Sequence, residues 1–282
     1  MIDSQQQWTE TIEPHHSLFD LKLKEVWRYR DLVYMFVKRD FVSSFKQTIL
    51  GPLWFFINPI ATTIVYLIVF GNIAKLSTDG APKILFYMAG ITLWNYFSSC
   101  LTSTSNVFTS YAGIFGKVYF PRLVTPISIV CSNLMRFGVQ MGLFLVVFVY
   151  YLYKGQVHPN WWILATPFLI VLMAIFALGM GMIFSSMTTK YRDLQMLLSF
   201  GVSLYMYATP VIYPVSSLKG IFRTLAFYNP LTGVFECFKY AWLGVGDFNA
   251  AMLLISSLFI IIILVIGTVI FNKVEKGFMD TV

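Results

Sequence analysis

Chemically active side chains are scarce in this 282-residue chain, and their spacing excludes most of what they could do. Gly113-Ile-Phe-Gly116-Lys117 is the segment nearest to a phosphate loop. Such a loop needs G-x-x-x-x-G-K-[ST], so that successive backbone N–H groups cradle phosphate oxygens. Here the glycines are too close together, and Val118 stands where the hydroxyl belongs. No GxSxG, HExxH or pair of carboxylates within an apolar stretch occurs. His15 and His16 are adjacent in a polar N-terminal segment, and His158 precedes Pro159. None has the company a metal site requires. Cys100, Cys131 and Cys237 are far apart and odd in number, which argues for small buried side chains rather than a disulfide framework. The chain is therefore expected to hold no metal or cofactor and to hydrolyse no ATP itself.

Two ionisable groups stand out by isolation. Arg136 is the single charge between Leu123 and Tyr153. A charge at membrane depth needs a partner. It is either a member of a buried ion pair or a binder of pyrophosphate or sugar. Glu236 lies in an interrupted apolar region. The apolar stretches otherwise carry no acid, and ion-coupled carriers usually place ionisable groups near the midplane. Energy for any transport is then expected from a separate protein.

The elements that must position these groups are membrane helices. Gln47–Ala74, Ile84–Gly116, Gly155–Thr189, Leu194–Leu218 and Phe248–Asn272 contain no Asp, Glu, Lys or Arg. Leu123–Tyr153 is a sixth stretch. About 20 apolar residues in a helix cross a bilayer's hydrocarbon core. Composition agrees: 57% of residues are hydrophobic and only 12% charged, where a soluble domain has about 25%. The net charge of +7 comes from bases that flank the spans, the pattern of lipid anchoring rather than of nucleic-acid binding.

Met1–Asp20 is polar and has no apolar signal-peptide core, so residues 1–20 are expected to be a cytoplasmic arm. Residues 21–46 place Val26, Leu32, Val33, Phe36, Val37, Phe41 and Phe45 at helical spacing against a basic face, the pattern of an amphipathic interface helix. Spans are expected from Gly51-Pro52, over roughly Ile84–Val107, Leu123–Tyr150, Trp161–Met187, Leu194–Ile212 and Ala250–Phe271. Asn58-Pro59 should bend the first span or free a carbonyl. Ile260–Ile263 gives the last span a lipid-facing look. Asp193 is placed to cap the fifth helix. Residues 213–247 are too apolar for a free loop and too interrupted for a span. Pro214, Gly220, Pro230 and Gly233 divide them into two pieces, near Val215–Phe227 and Pro230–Leu243, expected to form a re-entrant outer pair. Thirteen of the 20 Lys and Arg then fall on the side of both termini and six on the other, which places both termini in the cytoplasm.

RDFVSSFKQTILGPLWFFINP, FGKVYFPR, MTTKYRDL, TPVIYP and YNPLTGVFE occur in this order. Together they resemble the ABC-2 polysaccharide-exporting permeases, over about residues 25–282. The terminal EKGFMDTV resembles the lipopolysaccharide-exporting branch. The resemblance implies an all-α inner-membrane protein of six transmembrane helices, with the interface helix and re-entrant pair just described. It implies a second copy of the chain, two copies of an ABC ATPase that bind ATP and Mg, and an undecaprenyl-linked polysaccharide such as O-antigen as cargo. A small-lipid or drug permease and a membrane glycosyl- or acyltransferase are the alternatives. The transferase lacks the acidic or histidine groups it would need.

The family's coupling helix corresponds to Ser110–Arg122, with Tyr111, Phe115, Lys117, Tyr119 and Arg122 as ATPase contacts. Aromatics on spans one and five are candidates for lining a sugar path: Trp54, Tyr66, Phe70, Tyr205, Tyr207 and Tyr213. Sugar C–H faces pack on rings, and phenols exchange hydrogen bonds as a chain slides.

Overall fold

The computed structural model describes residues 23–44, 46, 50–118, 120–191 and 193–278; the N-terminal arm, Phe45, Tyr119 and Arg192 lie outside the described residues. Every regular element among them is helical. The chain forms α1 (Leu23–Arg28), α2 (Arg30–Ser43), α3 (Trp54–Tyr66), α4 (Lys83–Thr104), α5 (Val107–Ser110), α6 (Ala112–Phe115), α7 (Val124–Tyr153), α8 (Thr166–Thr188), α9 (Leu194–Ala208), α10 (Ile221–Tyr228), α11 (Thr232–Leu243) and α12 (Ala250–Phe278). Among the described residues five segments are long and apolar enough to cross a bilayer: Trp54–Ile73, Lys83–Thr104, Val124–Tyr153, Trp161–Thr188 and Ala250–Val274.

Helix α9 is the departure from the expected six. It has 15 residues, about 22 Å at 1.5 Å per residue, against a core of about 30 Å. Its end has a local cause. Thr209 precedes Pro210, and a residue before proline is pushed out of the helical region. Thr209 adopts φ −105°, ψ 143°. The interface segment departs in a smaller way: it is two helices broken at Tyr29, with Val26 and Phe36 buried and Trp27, Tyr34 and Met35 exposed. Residues 221–228 and 232–243 form the helical pieces of the interrupted region, while 215–217 make only a single 3-10 turn.

Helix α4 is the axis of the bundle. Its window of greatest hydropathy is 78% buried, the highest of the five candidate spans. At its hydroxyl-rich end Thr104 is fully buried, while Ser99, Thr102 and Ser103 border polar cavities. α7 and α8 pack on it, and α12 packs on α8. A Cβ added to Gly179 would lie 2.9 Å from Leu264 Cα, and one on Gly267 would run into the Gly179 backbone. Small residues thus let α8 and α12 approach closely. This corrects the lipid-facing expectation for Ile260–Ile263: Ile261 and Ile262 are exposed, but Ile260 is fully buried. In α3, Pro59 cannot donate to the preceding turn. Thr62 and Thr63 hydroxyls bond back to the Asn58 and Pro59 carbonyls at 2.9 and 2.7 Å, and the helix continues through π-turns over Leu67–Ile73.

Asp193 occupies the N-cap position of α9 but makes no side-chain capping bond, so the expected cap is absent. Three cysteines are free, two of them buried.

One end of the bundle is held by a buried ion pair. Lys239 on α11 is 1% exposed and Glu236, one turn earlier, is 0% exposed. Lys239 Nζ lies 3.6 Å from Glu236 Oε1 and donates to the Pro210 and Tyr213 carbonyls at 2.5 and 3.3 Å. It also sits 4.2 Å from the Phe86 ring centroid. Glu236 Oε2 accepts the Asp247 N–H at 3.1 Å. Replacing Lys239 with Met should cost about 3–5 kcal/mol, because it strands a buried carboxylate and two carbonyls. The double substitution Lys239→Met with Glu236→Gln should recover part of that loss. Thermal unfolding in detergent measures both, and equal losses in the single and double variants would contradict the pairing.

Candidate functional site

Residues 105–123 form a compact platform rather than an open loop. Thr188 Oγ1 donates to the Ser105 carbonyl at 2.8 Å, fixing the entry to α5 against the end of α8. Phe108 stacks on Phe271 of α12 at 4.7 Å. Phe36 of α2 meets Tyr111 at 5.7 Å and Phe120 at 5.9 Å, and Arg122 lies 5.4 Å from the Phe115 ring. These rings form a second core, separate from that of the bundle. Arg39 closes it: its guanidinium stands 5.0 Å from the Tyr111 ring, donates to Asp40 at 2.7 and 2.9 Å, and donates to the Tyr111 hydroxyl at 2.8 Å. Tyr111 in turn donates to Asp40 Oδ2 at 3.1 Å.

The expected ATPase contacts divide accordingly. Tyr111, Phe115 and Arg122 are buried and hold the platform together. Lys117 is exposed beside Val118, while Tyr119 lies outside the described residues. Spacing could not separate the two groups, because helices of only four residues on each side of Tyr111 leave no periodicity to read.

The aromatic candidates of α3 and α9 also divide. The two helices approach where the Tyr66 hydroxyl donates to Met206 Sδ at 3.4 Å. Trp54 and Tyr207 are exposed. Tyr66, Phe70 and Tyr213 are half-buried at the margin of the main core, and Tyr66 meets Phe70 edge-on at 5.4 Å. Tyr205 is turned inward beside Trp94 and Phe97, and its hydroxyl donates to Asn229 Oδ1 at 2.7 Å. The Tyr213 hydroxyl donates to the Tyr207 carbonyl at 2.9 Å.

Two polar cavities lie between α2, α3, α4 and α7, and residue types alone did not single out their walls. One, of about 430 Å³, is lined by Asp40, Ser43, Thr102, Ser103, Asn106, Ser110, Tyr111, Ile129, Ser132, Asn133 and Arg136. The other, also about 430 Å³, is lined by Trp54, Phe55, Asn58, Pro59, Asn95, Tyr96, Ser99, Asn133, Arg136, Phe137 and Gln140. Asn133 and Arg136 border both. The amides Asn58, Asn95, Asn133 and Gln140, each inside an otherwise apolar span, were the available signal. Asn95 Nδ2 donates to Gln140 Oε1 at 3.3 Å. Amides beside aromatic rings suit a hydroxyl-bearing ligand with apolar faces. Among the described residues no group of His, Cys, Asp and Glu could hold a metal.

Residues 31–243 match the family described as ABC-2 type transporter. The chain is 28% identical over 251 residues to an O-antigen export system permease protein RfbA of Klebsiella pneumoniae, covering 89% of this chain and 94% of that one. It is 29% identical to the RfbA of Myxococcus xanthus over 70% of this chain and 74% of that one. It is 21% identical to the polysialic acid transport protein KpsM of Escherichia coli, over 86% and 93% of the two chains.

The Tyr111 phenol gives the platform a pH signature. Burial first, and then the Asp40 charge, push its pKa from about 10 up to about 12. A raised pKa favours the protonated form in the folded state. The contribution is whole below about pH 10 and is lost as pH rises towards about 12. Tyr111→Phe removes both hydrogen bonds to charged groups and should cost about 1.5–3 kcal/mol near neutral pH. The gap between the two proteins should close above pH ~10. Unfolding midpoints at pH 8 and 11 measure it; a gap that widens with pH would contradict the network.

Proposed function

The chain belongs to the ABC-2 type transporter family, and on that premise we propose that it is the inner-membrane permease of an exporter of lipid-linked polysaccharide, with O-antigen as the favoured cargo. The observation that carries this reading is the match, over most of both chains, to an O-antigen export system permease and a polysialic acid transport protein. These two cargoes share the chemistry of a long carbohydrate chain. The amide- and aromatic-lined cavities support the same class of ligand.

In this reading two copies of the chain pair with two copies of a separate ABC ATPase, which supplies the ATP and Mg chemistry. Both termini face the cytoplasm. α9 together with the 209–214 turn completes a sixth crossing, α1–α2 rides in the membrane interface, and α10–α11 re-enter from the outer side. The cargo moves along α3 and α9. Trp54 and Tyr207 offer exposed rings there, Tyr66, Phe70 and Tyr213 form the half-buried margin, and Tyr205 stiffens the wall through Asn229. Weak contacts repeated along a path let a polymer slide without being trapped.

The platform of residues 105–123 meets the ATPase through Lys117 and Val118, two of the side chains it turns outward. The buried rings behind them transmit the push to α2 and α12. Lys117→Glu combined with Val118→Asp should abolish co-purification of the ATPase while leaving the chain's own unfolding temperature within about 2 °C, since exposed substitutions shift stability little. Undiminished co-purification and export in that double variant would remove Lys117 and Val118 from the interface.

Depletion of the chain in a cell that makes the polymer provides the test of function. The expected outcome is finished lipid-linked polysaccharide retained on the cytoplasmic face, with its synthesis continuing. Loss of polymer synthesis itself would point to an enzyme, and unaltered surface polysaccharide would point to a small-lipid or drug cargo.

A further inference from the structure

Arg136 is a charge set into the membrane that feels the opposite charge of Asp40 without an ion-pair contact to it. It lies more than three turns into α7, about 18 Å from the helix start at 1.5 Å per residue. Among the described residues no carboxylate is within ion-pairing distance of it. Among the described residues its one hydrogen bond is donated from Nη1 to Asn133 Oδ1, at a long 3.4 Å. Nε is buried with no hydrogen-bond partner. The nearest acid on the cavity wall, Asp40, is already engaged by Arg39 and Tyr111. This removes the ion-pair reading and leaves an unused guanidinium.

Its surroundings suit an anion. The two cavities meet at Arg136 and Asn133. On one side stand hydroxyl donors, including Ser132, whose Oγ is buried and unpartnered. On the other stand Asn58, Asn95 and Gln140 beside Trp54 and Tyr96. A guanidinium offers a planar fork that matches phosphate oxygens, and hydroxyls can complete the phosphate's hydrogen bonds. A buried and unsatisfied charged donor costs folding free energy, and an acceptor entering the cavity would recover it.

We propose that Arg136 is the phosphoryl-binding residue of a headgroup site in which a lipid's phosphate or diphosphate bonds the guanidinium, with Ser132 beside it and the attached polar group extending towards Asn58, Asn95 and Gln140. The chemistry is shared by two sources, the diphosphate of a lipid-linked sugar and the headgroup of an anionic phospholipid. Only the choice of the lipid-linked sugar as physiological occupant rests on the exporter reading.

Calorimetry on the full-length chain in neutral detergent tests the site, with farnesyl diphosphate, farnesol and short-chain phosphatidylglycerol as probes. The wild-type chain should bind farnesyl diphosphate at least about 10-fold more tightly than farnesol, given the strength of charge-assisted bonds. Arg136→Gln should erase that ratio and Arg136→Lys should keep part of it. Farnesyl diphosphate bound in preference to phosphatidylglycerol assigns the site to the polyprenyl diphosphate. Equal competition assigns it to a membrane phospholipid. An undiminished ratio in Arg136→Gln, or no preference in the wild type, overturns the proposal. Stability gives a second readout: ligand-free Arg136→Met should unfold at the same or a higher temperature, and a fall of several degrees would establish a structural role and overturn the proposal by itself. The two readings fail separately. Diphosphate binding that depends on Arg136, with no polymer retained on depletion, keeps the site and removes the exporter function. Retained polymer with binding indifferent to Arg136 does the reverse.

Discussion

The arrangement at one end of the bundle depends on how a single buried ammonium is satisfied. Lys239 is shut off from solvent, so it needs acceptors from the protein. Glu236 supplies charge from the same face of α11, and the Pro210 and Tyr213 carbonyls supply the rest. Those two carbonyls are available because Pro210 and Pro214 break regular hydrogen bonding over this stretch. The early end of α9 and the charge on α11 are thus one feature. The turn that ends α9 is pressed on α4, where a Cβ at Gly90 would run into the Val211 carbonyl. Glu236 extends the network to the α11–α12 connection through the Asp247 N–H. A second tie joins this end to the start of α8: Asn160 binds the Tyr240 carbonyl through its side chain at 2.9 Å and the Ala241 carbonyl through its backbone N–H at 3.1 Å.

The opposite demand governs residues 105–123. There, aromatic rings from α2, the platform and α12 interlock, and one Arg–Asp–Tyr network closes the cluster. Close-packed clusters transmit displacement instead of absorbing it. A force applied at the exposed Lys117 therefore reaches α2 and α12 together, and α2 in turn packs on α7. The first cavity lies between α2 and α7, so the platform and the cavity share a wall at Tyr111 and Asp40.

How much of this was legible in the sequence follows from what sequence patterns encode. Long apolar stretches report spans by length and composition, and the five long spans lie where those stretches do. Pattern reading is less sharp where burial inside protein mimics burial in lipid. The stretch 194–218 is as uncharged as the others, but its length does not show that Thr209-Pro210 ends the helix after 15 residues. Ile260 and Ile261 are alike in sequence, but one lies buried and the other faces outward. Tyr111 and Lys117 read as equal members of one anchor-rich segment, and only the position of α2 turns the first inward. Asp193 had the right type and place for a cap, but its side chain makes no capping bond. The route aromatics show the same limit: Tyr205 and Tyr207 are two positions apart, and the helix turns one towards Trp94 and the other outward.

Arg136 and Lys239 together show how a membrane protein separates holding from binding. Both are cations placed among apolar helices, where an isolated charge costs about 2.5–3.5 kcal/mol on insertion scales. Lys239 is met by a carboxylate, two carbonyls and an aromatic ring, and each of those groups is fixed by the fold. The ammonium is thus satisfied by the fold itself, although Glu236 Oε1 faces it at 3.6 Å without a hydrogen bond. Arg136 is met by one long amide contact and borders two cavities. The field of Asp40 and the Asn133 amide offset only part of its desolvation cost, so an entering anion gains the interaction that folding left unmade. Pairing Arg136 with an acid would stabilise the empty chain and take that interaction away from the ligand. An unpaired charge between two hydroxyl- and amide-lined spaces is what a site for an anionic, hydroxyl-rich headgroup requires.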